Sequence, residues 1–263
     1  QEFIDRYIDG LLYMVYIDED REVRATDKDL YRAAIAAAND FLASRSMEVV
    51  LLDQVEELKR DHTTLVEDAA GENLSVVQWL AQKLNADVYI LIDLTVGTEK
   101  RGNRYYAQST VTLTVFEAAT GRLLGSKSAS QLDRSVGASE KLAGINSVKI
   151  SVTRLMDDVV ALSKATMQKA VATGIRYELF LLGTHDADTV LQLIERLKMN
   201  AEQVAEIQSV YRTDTEGKYY VFFFGSSEEF ERMLYESARA VPGLDSMKLI
   251  SQRGKSFTFE TGL

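Results

Sequence analysis

Histidine and cysteine, the side chains that most often bind transition metals or act as nucleophiles, are scarce in this sequence. The chain has two histidines, His62 and His185, and no cysteine. A histidine-based metal site or nucleophile needs further ligands or a base close by. The two histidines fall in different predicted domains, each with an aspartate as its charged neighbour, so we interpret both as surface residues. The absence of cysteine excludes disulfides, thiolate metal sites and cysteine nucleophiles.

Two acidic groups are the remaining candidates for chemistry. Asp18, Glu19 and Asp20 could attract calcium, but an EF-hand loop starting at Asp18 would place Val23 where glycine is required. Asp186 and Asp188 resemble a carboxylate pair, yet they stand at the start of a predicted helix, where an acceptor and negative charge are favoured. We interpret the first group as a solvated turn and the second as a cap. The sequence thus predicts no catalytic residue, no metal site and no cofactor, and hence a non-enzymatic protein.

Length and charge restrict the classes further. A chain of 263 residues, of which 46% are hydrophobic, predicts two domains, each with its own hydrophobic core. Its net charge of −10 disfavours nucleic-acid binding, which needs a clustered cationic surface. The densest basic group, Lys100, Arg101 and Arg104, falls in a predicted hairpin beside Glu99, and we interpret it as a solvated loop. No apolar run approaches the roughly 20 residues that cross a bilayer.

The first 173 residues predict the element order β-α-β-α-α-β-β-β-α. A strand at 11–17 precedes a helix at 27–44, for which Thr26 and Asp29 suggest a capping box. A second strand at 47–52 leads into a charged helix that Asp53 would cap. A short helix beginning at Asn73 or Ser75 and ending near residue 84 completes this part of the chain.

A β-meander at residues 85–129 is the clearest pattern in the sequence. In its first strand, alternate positions are apolar from Val88 to Val96, and in its second, valine and leucine alternate with threonines. We expect a sheet with one dry face and one wet face. A long helix at 139–172 shows heptad-like apolar spacing. We predict that it lies across the sheet, with a coiled-coil dimer seam as the alternative.

The remainder, residues 174–263, predicts the ferredoxin-like order β-α-β-β-α-β, so the fold class of the whole chain is α+β. Gly174 would end the long helix. The segment 219–224 is aromatic on both faces, which indicates a strand covered twice or one that presents a face to a partner. We favour packing between the domains over partner binding. The residues predicted for such a surface are Tyr105, Tyr106, Tyr220, Phe222 and Phe224.

The order of elements in the first domain resembles the anticodon-binding-domain-like module of bacterial envelope proteins. That group includes the curli secretion lipoprotein CsgG, the activator LpoB, the TolB amino-terminal domain and the flagellar protein FlgT. The resemblance rests on the segment 86–92 after a short helix, the threonine-rich strand, the turn at 119–123 and the long helix. It covers about two thirds of the chain. The first strand lacks the usual proline, and no insertion is suited to a transmembrane barrel.

This resemblance implies a two-layer or three-layer mixed sheet with helices, and a function in docking rather than catalysis. We therefore expect a periplasmic or outer-membrane-associated assembly factor that docks an envelope protein or associates with itself. The chain begins at Gln1 rather than Met, so we expect that residues upstream have been removed, and any signal peptide or lipid-bearing cysteine would lie there. Two alternatives stay open: a small-molecule site in the crevice between the domains, and a cytosolic protein whose ferredoxin-like half senses a metabolite.

Overall fold

The computed structural model describes residues 2–17, 27–61, 75–130 and 135–263. It separates into two compact units, each described by itself below. We call Asp9–Thr166 the meander unit, and Gln1–Ile8 with Met167–Leu263 the terminal unit. The predicted α+β class is confirmed, because both units combine a mixed sheet with helices.

The strands of the meander unit are β1 to β6, which span Leu12–Ile17, Glu48–Val50, Val88–Arg101, Arg104–Glu117, Leu123–Ser130 and Ser135–Gly137. Its helices are α2 (Lys28–Ser44), α3 (Leu52–Asp61), α4 (Val76–Lys83) and α5 (Glu140–Val171), of which the residues from Met167 onward belong to the terminal unit. The strands form one sheet of order β2-β1-β3-β4-β5, and β6 also pairs with β4. β1 lies parallel to β2 and β3, whereas β3, β4 and β5 form the predicted antiparallel meander. The predicted order of elements is confirmed, with β6 as an addition.

Helices cover both faces of this sheet where β1 and β3 are central. Met14 and Tyr16 of β1 and Tyr89 of β3 share a core with residues of α3 and α4, including Val55 and Trp79. Side chains at the alternate positions face α5, as the hydrogen bond between the Tyr13 hydroxyl and Ser163 Oγ (2.9 Å) shows.

The expectation of one wholly wet face was therefore wrong at this end of the sheet. Parallel strands need crossover connections, and the helices in those connections cover the face that a meander alone would leave open. The threonine side chains of β4 do remain at least partly accessible to solvent. Thr110 and Thr112 each hydrogen-bond a serine of β5, at 2.9 and 3.0 Å.

The hairpin between β3 and β4 is longer than the sequence indicated. We predicted a polar loop at 97–103, but pairing continues to Arg101 opposite Arg104, and only Gly102 and Asn103 lie in the turn. Gly102 has a φ of +58°, and no positive φ occurs at Asn103, which is the type II′ arrangement. A two-residue turn of this type matches the twist of the strands and lets polar residues remain in the ladder.

Three predicted helix starts have different outcomes. Ser75 caps α4, since its side chain accepts from Gln78 N at 3.1 Å. Asp53 is no cap, because α3 begins one residue before it, and Gln54 instead accepts from Leu51 N at 3.0 Å. The N-cap of α2 is Asp27 without a side-chain hydrogen bond, and the predicted partner Thr26 lies outside the described residues.

The terminal unit carries a five-stranded sheet of order β10-β11-β7-β9-β8. The predicted order β-α-β-β-α-β runs from β7 to β10, and β11 inserts between β10 and β7, parallel to β7. Gly254, with a φ of +56°, makes the tight return from β10 to β11 possible. The elements are β7 (Ile175–Leu182), α6 (Ala187–Lys198), β8 (Val204–Arg212), β9 (Glu216–Phe223), α7 (Ser227–Arg239), β10 (Lys248–Arg253) and β11 (Ser256–Glu260).

Helices α6 and α7 pack on one face of that sheet through an aromatic core. Tyr177, Phe223, Phe230 and Phe257 are fully buried there, and the Tyr177 and Phe230 rings stack with centroids 4.4 Å apart. The Tyr177 hydroxyl donates to the Gly225 carbonyl at 2.9 Å, which satisfies the polar end of the buried ring. Gly174, with a φ of +95°, follows the end of α5 as predicted.

One helix was not predicted from the sequence. Glu2–Asp9 forms α1, and Ile4 and Tyr7 on it pack against the core of the terminal unit. Lys255 donates to the Tyr7 hydroxyl and its ammonium lies 4.9 Å from the Tyr7 ring centroid. The start of the chain is therefore part of the unit formed by its last hundred residues.

Candidate docking surfaces

The first candidate surface is the end of the β3–β4 hairpin, residues 99–106, which we call the cationic hairpin tip. It carries Lys100, Arg101 and Arg104 against the single acidic residue Glu99. The register places Lys100 opposite Tyr105 and Glu99 opposite Tyr106, so each face of the ribbon carries one of the two predicted tyrosines.

Each tyrosine of the tip is paired with a cation. The Lys100 ammonium lies 5.4 Å from the Tyr105 ring centroid, and the Arg101 guanidinium lies 5.8 Å from that of Tyr106. Both distances fall in the range of cation–π attraction. Glu99 accepts from Arg101 Nε and Nη2 at 2.9 and 3.1 Å, and these hydrogen bonds raise the pKa of Arg101.

The hairpin is held from one side by β6 and the first turns of α5. Thr98 Oγ1 donates to Glu140 Oε1 at 2.6 Å, and Asn146 Nδ2 donates to the Val136 carbonyl at 3.1 Å. At Gly137 the two backbones come so close that an added Cβ would lie 2.9 Å from Ala143 Cα. The base of the tip is therefore part of a packed framework, whereas residues 99–104 are exposed and Tyr105 and Tyr106 are half-buried.

The second candidate surface is the outer face of the terminal sheet, the face opposite α6 and α7. Side chains alternate along β9, so Tyr219, Val221 and Phe223 enter the core, and Tyr220 and Phe222 point the other way. Tyr220, Phe222 and Phe224 are each half-buried. The predicted two-sided aromatic strand is thus present. Whether its outer aromatics serve a partner stays a prediction.

Charged side chains lie among these outer aromatics. The Arg176 guanidinium lies 4.4 Å from the Tyr220 ring centroid, and the Lys218 ammonium lies 4.7 Å from that of Phe180 and 5.4 Å from that of Tyr220. Lys218 also pairs with Glu178 at 3.5 Å. Arg176 Nε is buried and, within the described part of the chain, has no hydrogen-bond partner. This combination is rich in aromatic and guanidinium groups, which are enriched at protein interfaces.

Sequence reasoning missed Arg176, Phe180 and Lys218 as members of this surface. A period-two count from Tyr220 identifies Lys218 on its own strand. Arg176 and Phe180 belong to β7, and only the register of β7 with β9 brings them alongside, Arg176 opposite Phe222 and Phe180 opposite Lys218.

The residues considered for chemistry do not form a site. Asp186 is the N-cap of α6 and accepts from Asp188 N and Thr189 N at 3.0 and 3.2 Å, as the capping interpretation predicted. Its pKa lies below the usual value, chiefly because the Thr189 hydroxyl donates to it at 2.8 Å. His185 is exposed beside it. His62 and the group Asp18, Glu19 and Asp20 lie outside the described residues.

Over residues 2–17, 27–61, 75–130 and 135–263, no cluster of three or more His, Asp or Glu side chains could hold a metal ion. Within the same ranges every helix is too short or too polar to traverse a bilayer.

The chain matches no family model, and no curated protein matches it. Solved structures that resemble it include the lipoprotein GNA1162 of Neisseria meningitidis, at 17% identity and a TM-score of 0.37, covering 58% of this chain and 99% of that one. They also include the PelC dodecamer of Paraburkholderia phytofirmans, at 12% identity and a TM-score of 0.32, covering 57% and 89%.

A third resembling structure is XCC0632 of Xanthomonas campestris, a DUF330 family protein, at 10% identity and a TM-score of 0.31, covering 63% of this chain and 89% of that one. All three are bacterial proteins, and one is a lipoprotein.

Proposed function

We propose that this protein is a non-enzymatic component of the bacterial cell envelope that docks a partner protein or associates with copies of itself. The envelope location is supported by the resemblance of the first domain to docking modules of envelope proteins. That domain has the element order on which the resemblance rests.

The observation that carries the docking role is the outer face of the terminal sheet. Tyr220 and Phe222 stand there with Arg176 and Lys218, and the latter two place cations over aromatic rings. Tyrosine and arginine supply much of the binding energy in protein interfaces when a partner excludes water from them. The charged groups of this face are engaged with rings and with one carboxylate, which suits recognition better than proton transfer.

Site-specific photo-crosslinking in the producing bacterium tests this proposal. A benzoylphenylalanine in place of Phe222 should give a discrete crosslinked product in the envelope fraction. The matched control replaces Leu191, which is 46% exposed on α6, the helix that packs on the other face of the sheet. We expect the product from position 222 and none from position 191. Recovery in the cytosol with no product from either position would overturn the proposal.

A further inference from the structure

The cationic hairpin tip places like charges opposite each other, an arrangement that a solvated turn does not require. Arg101 and Arg104 stand directly opposite each other on either side of the turn. Like charges at opposite positions of an antiparallel pair destabilise it, whereas opposite charges would stabilise it. A local rule broken at an exposed position is typical of a surface used for binding.

The three cations of the tip differ in the polar contacts that they make within the protein. Glu99 holds Arg101 through two hydrogen bonds. No ion pair engages Lys100 or Arg104 within the part of the chain that the structure describes, and both side chains are exposed. These two charges, with the tyrosine rings beside them, are therefore available to an outside carboxylate.

The rest of the chain has the opposite charge. The tip carries three cations and one carboxylate, in a chain with a net charge of −10. Attraction between such surfaces acts over about one Debye length, roughly 8 Å at physiological ionic strength, so it is strongest where the tip contacts an acidic surface directly. The framework around Thr98, Gly137 and Glu140 fixes the base of the hairpin, which lowers the entropic cost of docking.

We propose that the cationic hairpin tip docks on an acidic surface of a second copy of this chain. The contact joins two different surfaces, so it is a head-to-tail interface and produces a ring or an open chain of copies. An anionic membrane is the less favourable partner, because the tip offers no aliphatic side chain for insertion and the acidic body would be repelled by the lipid. The inference rests on the docking role of the proposed function and not on the envelope location.

The test compares a charge reversal at the tip, K100E with R104E, against the same reversal on the exposed side of α5, K149E with R154E. Both double variants change the net charge equally, and all four residues are exposed. Arg104→Glu also places opposite charges across the hairpin, so the tip variant should fold at least as well as the parent. Circular dichroism checks the folding of both.

Sedimentation velocity over a range of protein concentrations is the measurement. We expect reversible association of the parent at low salt, weakened about tenfold or more in the tip variant and much less in the α5 variant. Raising the salt from about 0.02 M to about 0.5 M should dissociate the parent. Parent protein that stays monomeric at low salt, or equal weakening in both variants, would overturn the inference.

A second arm uses vesicles containing phosphatidylglycerol. Vesicle binding that requires Lys100 and Arg104, without self-association, would overturn the inference in favour of a lipid partner. The two proposals can fail separately. A monomeric protein with a specific product from position 222 retains the proposed docking function and loses only this inference.

Discussion

Single side chains at the ends of helices and strands determine where several of these elements begin and end. Ser226 begins α7 with a complete capping box, in which its hydroxyl accepts from Glu229 N at 3.3 Å and Glu229 accepts from Ser226 N at 2.7 Å. In the meander, Glu117 accepts from the Thr120 hydroxyl at 2.6 Å and pairs with Arg122 at 3.4 Å. The turn at 119–122 is therefore held by the side-chain contacts that Glu117 makes with Thr120 and Arg122.

The ionisation of Asp186 should make the stability of the folded protein depend on pH. The folded state lowers its pKa, mainly through the Thr189 hydroxyl. A lowered carboxyl pKa contributes stability that is present above the unfolded value of about 3.9 and is lost as the pH falls through the folded value. Asp186→Asn should therefore be less stable than the parent at pH 7, and this difference should shrink in acid. Urea unfolding at both pH values measures it.

The cause of that shift can be tested separately. Thr189→Val removes the donating hydroxyl and should raise the pKa of Asp186 toward the ordinary value, whereas Thr189→Ser retains the donor and should leave it low. NMR titration of the Asp186 carboxyl distinguishes the two variants. An unchanged pKa in Thr189→Val would contradict the assignment of the hydroxyl as the main cause.

The close packing of α5 against the meander depends on small residues. Ser109 of β4 hydrogen-bonds both Ser147 and Ser151 of α5 at 2.9 Å, and all three serines are buried. Small side chains allow this close approach, and the mutual hydrogen bonds remove the cost of burying hydroxyls. The heptad-like spacing of α5 thus serves packing on its own sheet, as predicted, in the part of α5 within the meander unit.

A substitution at Gly137 tests how much stability this packing of α5 contributes. An alanine Cβ there would lie far inside contact distance of the Ala143 backbone nitrogen, which cannot move without shifting α5. Gly137→Ala should cost about 1–3 kcal/mol, the usual range for overpacking. Gly97→Ala is the control, because its Cβ would meet nothing within 4 Å and the site lies in β3 of the same hairpin.

Urea unfolding measures both variants. The control should be neutral or slightly more stable, since alanine restricts the unfolded chain. Equal destabilisation by the two substitutions would mean that loss of the glycine itself, and not contact with α5, is responsible.

Among the edge strands that the structure describes, β5, β8 and β10 carry features that discourage pairing with other chains. Lys127 of the edge strand β5 stands opposite Leu113, on the face toward α5, and an inward charge at an edge opposes further pairing. β8 has two register shifts and β10 has one. These bulges make strand addition an unfavourable docking mode, which agrees with the proposal of docking through side chains at the hairpin tip.

The path of the chain between the two units is the main feature of the whole molecule. The chain leaves the terminal unit after Ile8 and returns to it at Met167. Residues at the two ends of the sequence therefore share one core, in which Ile4 and Tyr7 pack on side chains from Val171 to Phe259.

Tyr7→Ala tests this organisation. Removing the half-buried ring should cost the terminal unit about 1–2 kcal/mol, less than the loss of a fully buried aromatic. Hydrogen exchange should show faster exchange in β7, β9 and α7, with β1, β3 and β4 unchanged. Tyr7→Phe retains the ring and loses the hydrogen bond from Lys255, so its effect should be smaller. Equal loss of protection in both units would contradict the assignment of α1 to the terminal unit.

What the sequence by itself determined is local. The strands of the meander, the long helix, the cap at Ser75 and the stop at Gly174 follow from side-chain period and from the conformations that single residues favour. These signals act within a few residues, so they were readable without the fold. The two-sided aromatic strand and the tyrosines of the hairpin were found in the same way.

Only the tertiary structure decided which segments meet. The insertion of β11 between β10 and β7, the burial of Ser109 with Ser147 and Ser151, and the packing of α1 on the terminal core join residues 38 to more than 160 positions apart. Arg176 becomes part of the aromatic face only through the register of β7 with β9. Such contacts depend on the shapes of two distant surfaces at once, and no local periodicity encodes that match.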